Sequence, residues 1–209
     1  MKITPEVENV LTISSFIFGI LSFVYAIYCR HMTIKAERKQ CTIDWKDVNI
    51  AAKDLAKQIE HTYSPDIIYV PSIKSGIIVH FIKEYFSEYI PVITGQIISK
   101  KQFGKGYIKK IEDLDKYLFF ETNKWYAYIP VGLLDYKEKK LLIIDDFAMS
   151  GDFLHILSKT LFDNGFAPEN IKTSCLATTE VAIRSEKSPN YYWKKFSITD
   201  IYMPWGKPI

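Results

Sequence analysis

The sequence of 209 residues has few cysteines, few glycines and prolines, and little excess charge of either sign. Its three cysteines, Cys29, Cys41 and Cys175, have no paired spacing, which argues against a disulfide framework and against a zinc site. Nine glycines and nine prolines exclude collagen-like and low-complexity sequence. The 27 Lys and Arg residues against 24 Asp and Glu lack the basic excess of a typical nucleic-acid-binding protein, so we expect no nucleic-acid partner.

Apolar side chains are abundant instead, and many of them lie in one run near the N-terminus. The chain is 48% hydrophobic and 15% aromatic, a composition that excludes a disordered chain. Residues 10–29 contain no charged residue, and 15 of these 20 residues are apolar. A helix rises about 1.5 Å per residue, so this run would span roughly 30 Å, the thickness of a hydrocarbon core. We therefore predict a transmembrane helix over residues 10–29, in contact with the lipid bilayer and preceded by a short tail, residues 1–9.

Two other interpretations of this run are a cleaved signal peptide and a buried core helix. A signal peptide needs a basic start and small residues at its cleavage site. Here Lys2 is opposed by Glu6 and Glu8, and the run ends in Tyr25-Ala26-Ile27-Tyr28-Cys29, which is a poor cleavage site. A buried core helix of this length usually contains some charged residues. Both alternatives therefore fit the run less well than a retained span.

The charges that flank the run predict its orientation. Arg30, Lys35, Arg38 and Lys39 follow the run, whereas Lys2 is the basic residue that precedes it. By the positive-inside rule, the larger C-terminal part lies in the cytoplasm. We expect a single-pass protein of the cell inner membrane, in which the basic connector, residues 30–41, lies beside anionic lipid headgroups.

Beyond the connector, short apolar strands alternate with helices. Apolar residues recur every three or four positions from Trp45, which predicts an amphipathic helix capped by Asp44 or Thr42. We predict further helices at 76–89 and 153–164, and strands at 66–71, 92–98, 118–130 (one or two), 141–144, 171–178 and 198–203. This order predicts an α/β fold in which a mostly parallel, twisted sheet has helices on both faces. Ligands of such sheets bind at the carboxyl ends of the strands.

The strongest candidate site follows the most apolar of these strands. Asp145 and Asp146 end the strand, and a loop of small residues then opens a helix. Backbone N–H groups at a helix start bind anions, and adjacent carboxylates suit sugar hydroxyls or a hydrated Mg²⁺ ion. An acid pair at a strand end also occurs in response-regulator-like pockets and in simple helix caps, so the pair alone is not specific.

Two segments of the chain carry a resemblance to a known family. LLIIDDFAMSGDF, residues 141–153, resembles the diphosphoribosyl-binding signature of type I phosphoribosyltransferases, and DIIYVPSIKSGIIVHFIKEYF, residues 66–86, resembles that family's pyrophosphate loop with the Lys-Gly-Gly form of purine enzymes. Residues 42–45, Thr-Ile-Asp-Trp, and residues 203–205, Met-Pro-Trp, resemble the Ser-Trp opening and Phe-Pro-Trp ending of xanthine/guanine-like members. The elements occur in the family's order. The resemblance covers residues 42–209, which we interpret as a phosphoribosyltransferase-like domain.

This resemblance implies transfer of ribose 5-phosphate from phosphoribosyl diphosphate to a purine-like base. It implies Mg²⁺ as cofactor, held mainly through the substrate diphosphate rather than at a protein metal site, and a homodimer. The implied catalytic residues are Asp145 and Asp146, at the ribose hydroxyls, and Lys74, at the pyrophosphate. The implied substrate-binding residues are Ile73, Ser75 and Gly76 at the pyrophosphate, Ala148, Met149, Ser150, Gly151, Asp152 and Phe153 at the 5-phosphate, and Trp205, which either stacks on the base or packs in the core. Loop 99–117 would close over the site.

Four departures from the family pattern leave a second function open. Met149 stands where purine enzymes often have Asp, and Phe153 replaces a phosphate-binding Thr. Asp152 puts a carboxylate into a loop that would hold a dianion, and the second glycine of the pyrophosphate loop is shifted to Gly76. The alternative is a catalytically degenerate relative that binds a nucleotide or phosphoribosyl diphosphate and acts as a sensor or effector at the membrane. An unrelated α/β module is a third possibility.

Overall fold

The computed structural model describes residue 14 and residues 16–30, 41–103, 114–197 and 201–206. The chain divides into two units, Met1–Cys41 and Thr42–Ile209.

The first unit contains a helix with exposed apolar side chains. Residues 16–30 are helical, and Phe18, for example, is 75% exposed. Among the described residues, no helix is long and apolar enough to span a membrane. The predicted tail 1–9, residues 10–13 and 15 of the predicted span, and residues 31–40 of the predicted connector lie outside the described residues.

The strands are β1 (Cys41–Thr42), β2 (Ile67–Val70), β3 (Val92–Thr94), β4 (Gln96–Ser99), β5 (Tyr117–Glu121), β6 (Trp125–Pro130), β7 (Leu141–Ala148), β8 (Ile171–Thr179), β9 (Tyr191–Phe196) and β10 (Ile201–Tyr202). The α-helices of the second unit are α1 (Trp45–Thr62), α2 (Ile73–Lys83), α3 (Lys100–Phe103), α4 (Asp152–Asp163) and α5 (Glu180–Arg184). Short 3₁₀ helices occur at Leu114–Lys116, Val131–Tyr136 and Pro168–Asn170.

The main sheet is parallel and lies at the centre of the second unit. Its strand order is β3-β2-β7-β8-β9, and every neighbouring pair is parallel. On one face, Tyr69 and Ile143 pack in a core with Leu154, Leu157 and Leu161 of α4. The alternate strand residues are equally buried on the other face, where α1 and α2 pack against the strands. The predicted mostly parallel sheet covered on both faces is therefore confirmed.

The helix predicted from Trp45 is α1, and Asp44 caps it. The Asp44 carboxylate accepts a hydrogen bond from the Asp47 N–H at 2.8 Å, and the Asp47 carboxylate accepts one from the Asp44 N–H at 3.3 Å. This reciprocal capping satisfies two backbone donors that the helix itself leaves unpaired. Leu55 and Ile59 are buried as their spacing predicts, whereas Trp45 is half exposed.

The strand predicted over residues 92–98 is two strands that belong to different sheets. β3 pairs with β2 in the main sheet, whereas β4 joins β6 and β5 in an antiparallel sheet of order β4-β6-β5. Gly95 separates the two strands. A Cβ atom at Gly95 would lie 2.0 Å from Tyr69 Oη and 2.9 Å from the Tyr128 carbonyl oxygen, so the chain turns where a side chain does not fit. The segment predicted as one or two strands over 118–130 is the hairpin β5–β6.

The segment after β2 also differs from its prediction. Residues 72–76 were expected to form a loop before a helix over 76–89, but α2 begins at Ile73 and ends at Lys83. The reason is that the Ser72 hydroxyl accepts a hydrogen bond from the Ser75 N–H at 3.1 Å, and the Gly76 N–H reaches the Ser72 carbonyl at 3.1 Å. Serine at this position satisfies the first donors of the helix.

Other differences lie nearer the C-terminus and in the expected loop. α5 and β9 were not predicted, because α5 is short and β9, Tyr-Tyr-Trp-Lys-Lys-Phe, shows no alternation of apolar and polar residues. The predicted strand 198–203 is reduced to β10, and its residues 198–200 lie outside the described residues. Within the expected loop 99–117, α3 and a 3₁₀ helix are present, and residues 104–113 are outside the described residues.

Candidate active site

The strand order places the two predicted motifs side by side. β2 and β7 are neighbours, but the chain continues from β2 to β3 on one side and from β7 to β8 on the other. The loops that follow two such strands diverge and leave a crevice at their carboxyl ends, where α/β proteins bind ligands. Ser72 follows β2, and Asp145 and Asp146 lie in the second half of β7.

The acid pair is buried and held by fixed donors. Asp145 and Asp146 are each 7% exposed. Asp145 Oδ1 accepts hydrogen bonds from the Ser75 hydroxyl at 2.7 Å and from the Asp146 N–H at 2.9 Å. Asp146 Oδ2 accepts one from Trp205 Nε1 at 3.2 Å. Each carboxylate therefore has an oxygen whose position is set by the protein, which preorganises the pair for hydroxyl donors of a ligand.

Burial also changes the acidity of the pair. Burial, together with the neighbouring Asp146, raises the pKa of Asp145 to about 7, against the opposing hydrogen bonds of Ser75 and of the Asp146 N–H. Burial likewise raises the pKa of Asp146, while the Trp205 N–H and the Lys74 charge oppose this shift. Because two adjacent buried carboxylates disfavour a second negative charge, the pair retains a proton near neutral pH.

The loop after the acid pair is braced by the end of the neighbouring strand. Gly151 has φ of 76° and precedes α4, and a Cβ atom there would lie 1.9 Å from the Lys187 carbonyl oxygen. The Thr179 hydroxyl, at the end of β8, donates to the Met149 carbonyl and accepts from the Val181 N–H at 3.1 Å. The backbone N–H groups at the start of α4 therefore lie in a rigid loop that suits an anion.

The Asp152 carboxylate has two polar partners at this loop. Its Oδ1 lies 2.6 Å from Lys187 Nζ, and its Oδ2 accepts a hydrogen bond from the Ser150 hydroxyl at 2.8 Å. The hydrogen bonds from Lys187 and Ser150 lower the pKa of Asp152. Phe153, where the family pattern has Thr, packs 5.7 Å from the Phe120 ring against the core. Hydrophobic packing explains the residue type at 153, and Lys187 offsets the charge at 152.

The acid pair, the loop that follows it and Lys74 line a single cavity of about 510 Å³. The sequence-predicted residues that line it are Lys74, Asp145, Asp146, Ala148, Met149, Ser150, Gly151, Asp152 and Phe153. Its opposite wall is the β5–β6 turn, residues 121–125, together with Lys100, which forms an ion pair with Glu121 at 2.9 Å.

Four predicted residues lie outside the cavity lining among the residues that the structure describes. Ile73 is 85% exposed, Gly76 is inside α2, and Ser75 is fully buried behind Asp145. Trp205 packs 5.9 Å from the Trp45 ring. Ser75 and Trp205 each donate a hydrogen bond to the acid pair.

Several residues of the site were missed from the sequence. Thr179 is the last residue of the long, buried strand β8, and a polar residue at the carboxyl end of a strand is a signal that could have identified it. Lys187 lies after α5 in a turn without any motif, so no sequence signal marks it. The β5–β6 turn was also missed; its Lys124 Nζ lies 4.0 Å from Met149 Sδ.

The residues present fit a metal ion carried by a ligand better than a resident one. Among the described residues, no group of three or more His, Cys, Asp or Glu could hold a metal ion. Mg²⁺ readily keeps waters and phosphate oxygens as ligands and needs few from the protein. Its expected attachment through a diphosphate is compatible with this cavity.

Comparisons of this chain with known sequences and with known structures give different results. No protein-family model matches this sequence, and no curated protein matches it. Solved structures do match. The chain has a phosphoribosyltransferase fold. A purine phosphoribosyltransferase from Pyrococcus horikoshii is 21% identical, with a TM-score of 0.57 over 81% of this chain and 96% of that one.

Two further structures have the same fold. The xanthine-guanine-hypoxanthine phosphoribosyltransferase of Helicobacter pylori is 16% identical, with a TM-score of 0.52 over 79% of this chain and 90% of that one. A hypothetical protein from Neisseria gonorrhoeae with bound ppGpp is also 16% identical, with a TM-score of 0.54 over 79% of this chain and 89% of that one. The likeness excludes an unrelated α/β module, and at these identities it shows the fold alone.

Proposed function

We propose that residues 42–209 transfer ribose 5-phosphate from phosphoribosyl diphosphate to a purine-like base. The observation that carries this proposal is the shared cavity: a buried acid pair and an anion-binding loop meet at the strand switch point of a domain with this fold. The purine-like base is suggested by the names of the solved structures that match. A cavity of about 510 Å³ is large enough for a ligand of nucleotide size.

The chemistry needs positioning and charge stabilisation more than covalent catalysis. Asp145 and Asp146 would accept hydrogen bonds from the two ribose hydroxyls, and the N–H groups at the start of α4 would hold the 5-phosphate. Cleavage at the anomeric carbon leaves an oxocarbenium-like centre, which the nearby carboxylates stabilise. Lys74, which lines the cavity, would offset charge on the leaving diphosphate. Bound Mg²⁺ supplies further charge neutralisation to that diphosphate.

A second candidate function is a sensor or effector that binds such a ligand without turnover. Three observations favour it: α2 begins where a pyrophosphate loop was expected, Phe153 belongs to the core, and Asp152 places a carboxylate in the phosphate loop. One structure with this fold, the hypothetical protein from Neisseria gonorrhoeae, holds ppGpp. A site that binds a phosphorylated nucleotide and lacks a complete pyrophosphate loop fits a sensor.

We further propose that residues 10–29 anchor the protein in the inner membrane, with the C-terminal domain in the cytoplasm. The run contains no charged residue, and basic residues follow it. The exposed apolar side chains of residues 16–30 would contact lipid. Anchoring raises the local concentration of the domain, which favours the homodimer expected of this fold. Deleting residues 1–29 should move the protein from the membrane fraction to the supernatant.

One assay separates the two functions. The full chain in nanodiscs is mixed with phosphoribosyl diphosphate, Mg²⁺ and one base: guanine, xanthine, hypoxanthine, adenine, uracil or orotate. Pyrophosphate release with a base supports the transferase and overturns the sensor without turnover. Ligand binding without release, if lost in Asp145→Asn/Asp146→Asn, overturns the transferase. Asp163→Asn, at the far end of α4, is the matched control and should behave as the wild type.

A further inference from the structure

The carboxylate of Asp152 occupies donors that the loop would otherwise present to an anion. Asp152 Oδ2 takes the hydroxyl hydrogen of Ser150 at 2.8 Å, and Asp152 Oδ1 lies 2.6 Å from Lys187 Nζ. Ser150 and Asp152 both line the cavity. The carboxylate therefore uses a hydroxyl and an ammonium group, which are donors of the kind that a ligand phosphate would need.

The lysine of this arrangement is held in place by backbone packing. The Lys187 N–H donates to the Ala182 carbonyl at 2.9 Å, and the Lys187 carbonyl oxygen lies where a side chain on Gly151 would be. The Ser185 hydroxyl reaches the Ser150 carbonyl at 3.4 Å. The turn after α5 is thus packed on the loop, and this packing fixes the backbone position from which Lys187 reaches Asp152.

A phosphate that enters the loop meets a negative charge at short range. A dianion and a carboxylate that share one hydroxyl donor repel each other, and a bound phosphate would have to take the Ser150 hydroxyl from Asp152. The Lys187 ammonium group lowers this repulsion because it neutralises Asp152 directly.

We propose that Asp152 is an internal competitor of the ligand phosphate, and that Lys187 permits phosphate binding by holding and neutralising Asp152. This rests on the proposed function, because it assumes that the loop binds a phosphorylated ribose. Lys187 is then a positioning residue that acts through Asp152. The pair sets how much phosphate affinity the loop has, and it distinguishes this chain from a loop with a neutral residue at position 152.

Replacing Asp152 in the loop should strengthen ligand binding rather than weaken it. Binding of ribose 5-phosphate to the full chain in nanodiscs is measured by titration calorimetry, with unphosphorylated ribose as a second ligand. Asp152→Asn should bind ribose 5-phosphate roughly tenfold more tightly, and Lys187→Met roughly tenfold more weakly, because the repelling charge is removed or left uncompensated. In the double variant, the affinity should equal that of Asp152→Asn within about twofold. Ribose binding should not change.

The outcomes distinguish this proposal from the proposed function. Unchanged or weaker ribose 5-phosphate binding by Asp152→Asn, confirmed with Asp152→Ser, overturns the competitor role. A Lys187→Met effect that persists in the Asp152→Asn background overturns the claim that Lys187 acts through Asp152. Binding by none of the proteins overturns both proposals, whereas tighter binding by Asp152→Asn without pyrophosphate release overturns the transferase alone. Asp163→Asn and Lys159→Met remove a similar ion pair at the other end of α4, 2.5 Å long, and should have no effect.

Discussion

Ser75 Oγ donates a hydrogen bond to Asp145 Oδ1 over 2.7 Å, which ties the first turn of α2 to the acid pair of β7. Ser75 is fully buried, and its hydroxyl also lies 2.7 Å from the Ser72 hydroxyl. When Asp145 is ionised, Ser75 donates to it and Ser72 must donate to Ser75. Ser75, one of the residues expected at a pyrophosphate, thus orients the carboxylate of Asp145.

Ser75→Ala should shift the pH dependence of ligand binding. The Ser75 hydroxyl opposes the rise in the pKa of Asp145, so its loss should raise that pKa further above about 7. We measure ribose 5-phosphate binding by calorimetry between pH 6 and pH 9. As the pH falls, binding should weaken at a higher pH in Ser75→Ala than in the wild type, because Asp145 becomes protonated earlier.

The matched control for this measurement is Ser87→Ala. Ser87 donates to the Glu60 carboxylate at 2.9 Å on the surface, so it repeats the serine–carboxylate contact away from the site. A Ser75→Ala profile that overlays the wild-type profile would refute the coupling of Ser75 to the acid pair.

Asp145→Asn should stabilise the protein above neutral pH. The pKa of Asp145 is about 7 in the folded chain and near its ordinary value of 3.8 in the unfolded chain, so the folded state binds the extra proton between these values. The free energy of unfolding of the wild type therefore falls as the pH rises from about 4 to about 7. Asparagine cannot titrate, so at pH 8 the variant should be more stable by on the order of 3 kcal/mol.

Urea unfolding at pH 4.5, 6 and 8 tests this prediction, with Asp163→Asn as an exposed control. If Asp145→Asn is less stable than the wild type at pH 8, the buried carboxylate is stabilising and the predicted sign is wrong. Lower activity with higher stability in this variant would show that the site is maintained at the expense of the fold.

Trp205→Phe tests what the tryptophan does at the acid pair. Phenylalanine keeps a ring against Trp45 but loses the N–H that donates to Asp146 and opposes the rise in its pKa. Phosphoribosyl diphosphate binding should weaken by about 1–3 kcal/mol, since an acceptor loses its charge-assisted partner. The KM for the base should stay unchanged.

Trp193→Phe on β9 is the control, because it is the same substitution away from the site. It should change neither the affinity for phosphoribosyl diphosphate nor the KM for the base. If Trp205→Phe instead changes the KM for the base and spares phosphoribosyl diphosphate binding, Trp205 stacks on the base rather than holding Asp146.

Two glycine substitutions should change the stability of the protein in different directions. Gly151→Ala places a Cβ 1.9 Å from the Lys187 carbonyl oxygen at a φ of 76°, so it should destabilise the protein by at least about 2 kcal/mol. Gly76→Ala lies inside α2 with no atom within 4 Å of the new Cβ, and it should be neutral or stabilising by up to about 1 kcal/mol. Thermal unfolding measures both.

Measuring ligand binding also makes the Gly76→Ala variant informative about function. If Gly76→Ala weakens phosphoribosyl diphosphate binding at unchanged stability, a diphosphate approaches the backbone at Gly76 as the resemblance implies. If binding is unchanged, the helical start of α2 has replaced that role.

Local patterns in the sequence predicted the parts of the fold whose cause is local. The apolar run of Leu141–Ile144 becomes the buried core of β7, and the spacing of Leu55 and Ile59 becomes the buried face of α1. The start of α2 was misplaced because Gly76 suggested a loop, whereas the Ser72 cap already satisfied the helix. Strand 92–98 was predicted as one element because the steric demand of Tyr69 on Gly95 comes from another strand.

The candidate site divides in the same way. Asp145, Asp146 and the loop through Gly151 follow from the sequence alone, because an acid pair, a glycine and a helix start are consecutive and each acts through its neighbours. The resemblance already pointed to Ser75 and Trp205. Their hydrogen bonds to Asp145 and Asp146, and the contact of Lys187 with Asp152, arise only through tertiary structure, since these partners lie 70, 59 and 35 residues apart along the chain. The packing of distant segments therefore sets the acidity of the acid pair and compensates the loop carboxylate, because burial and charge contacts depend on what surrounds a residue in space.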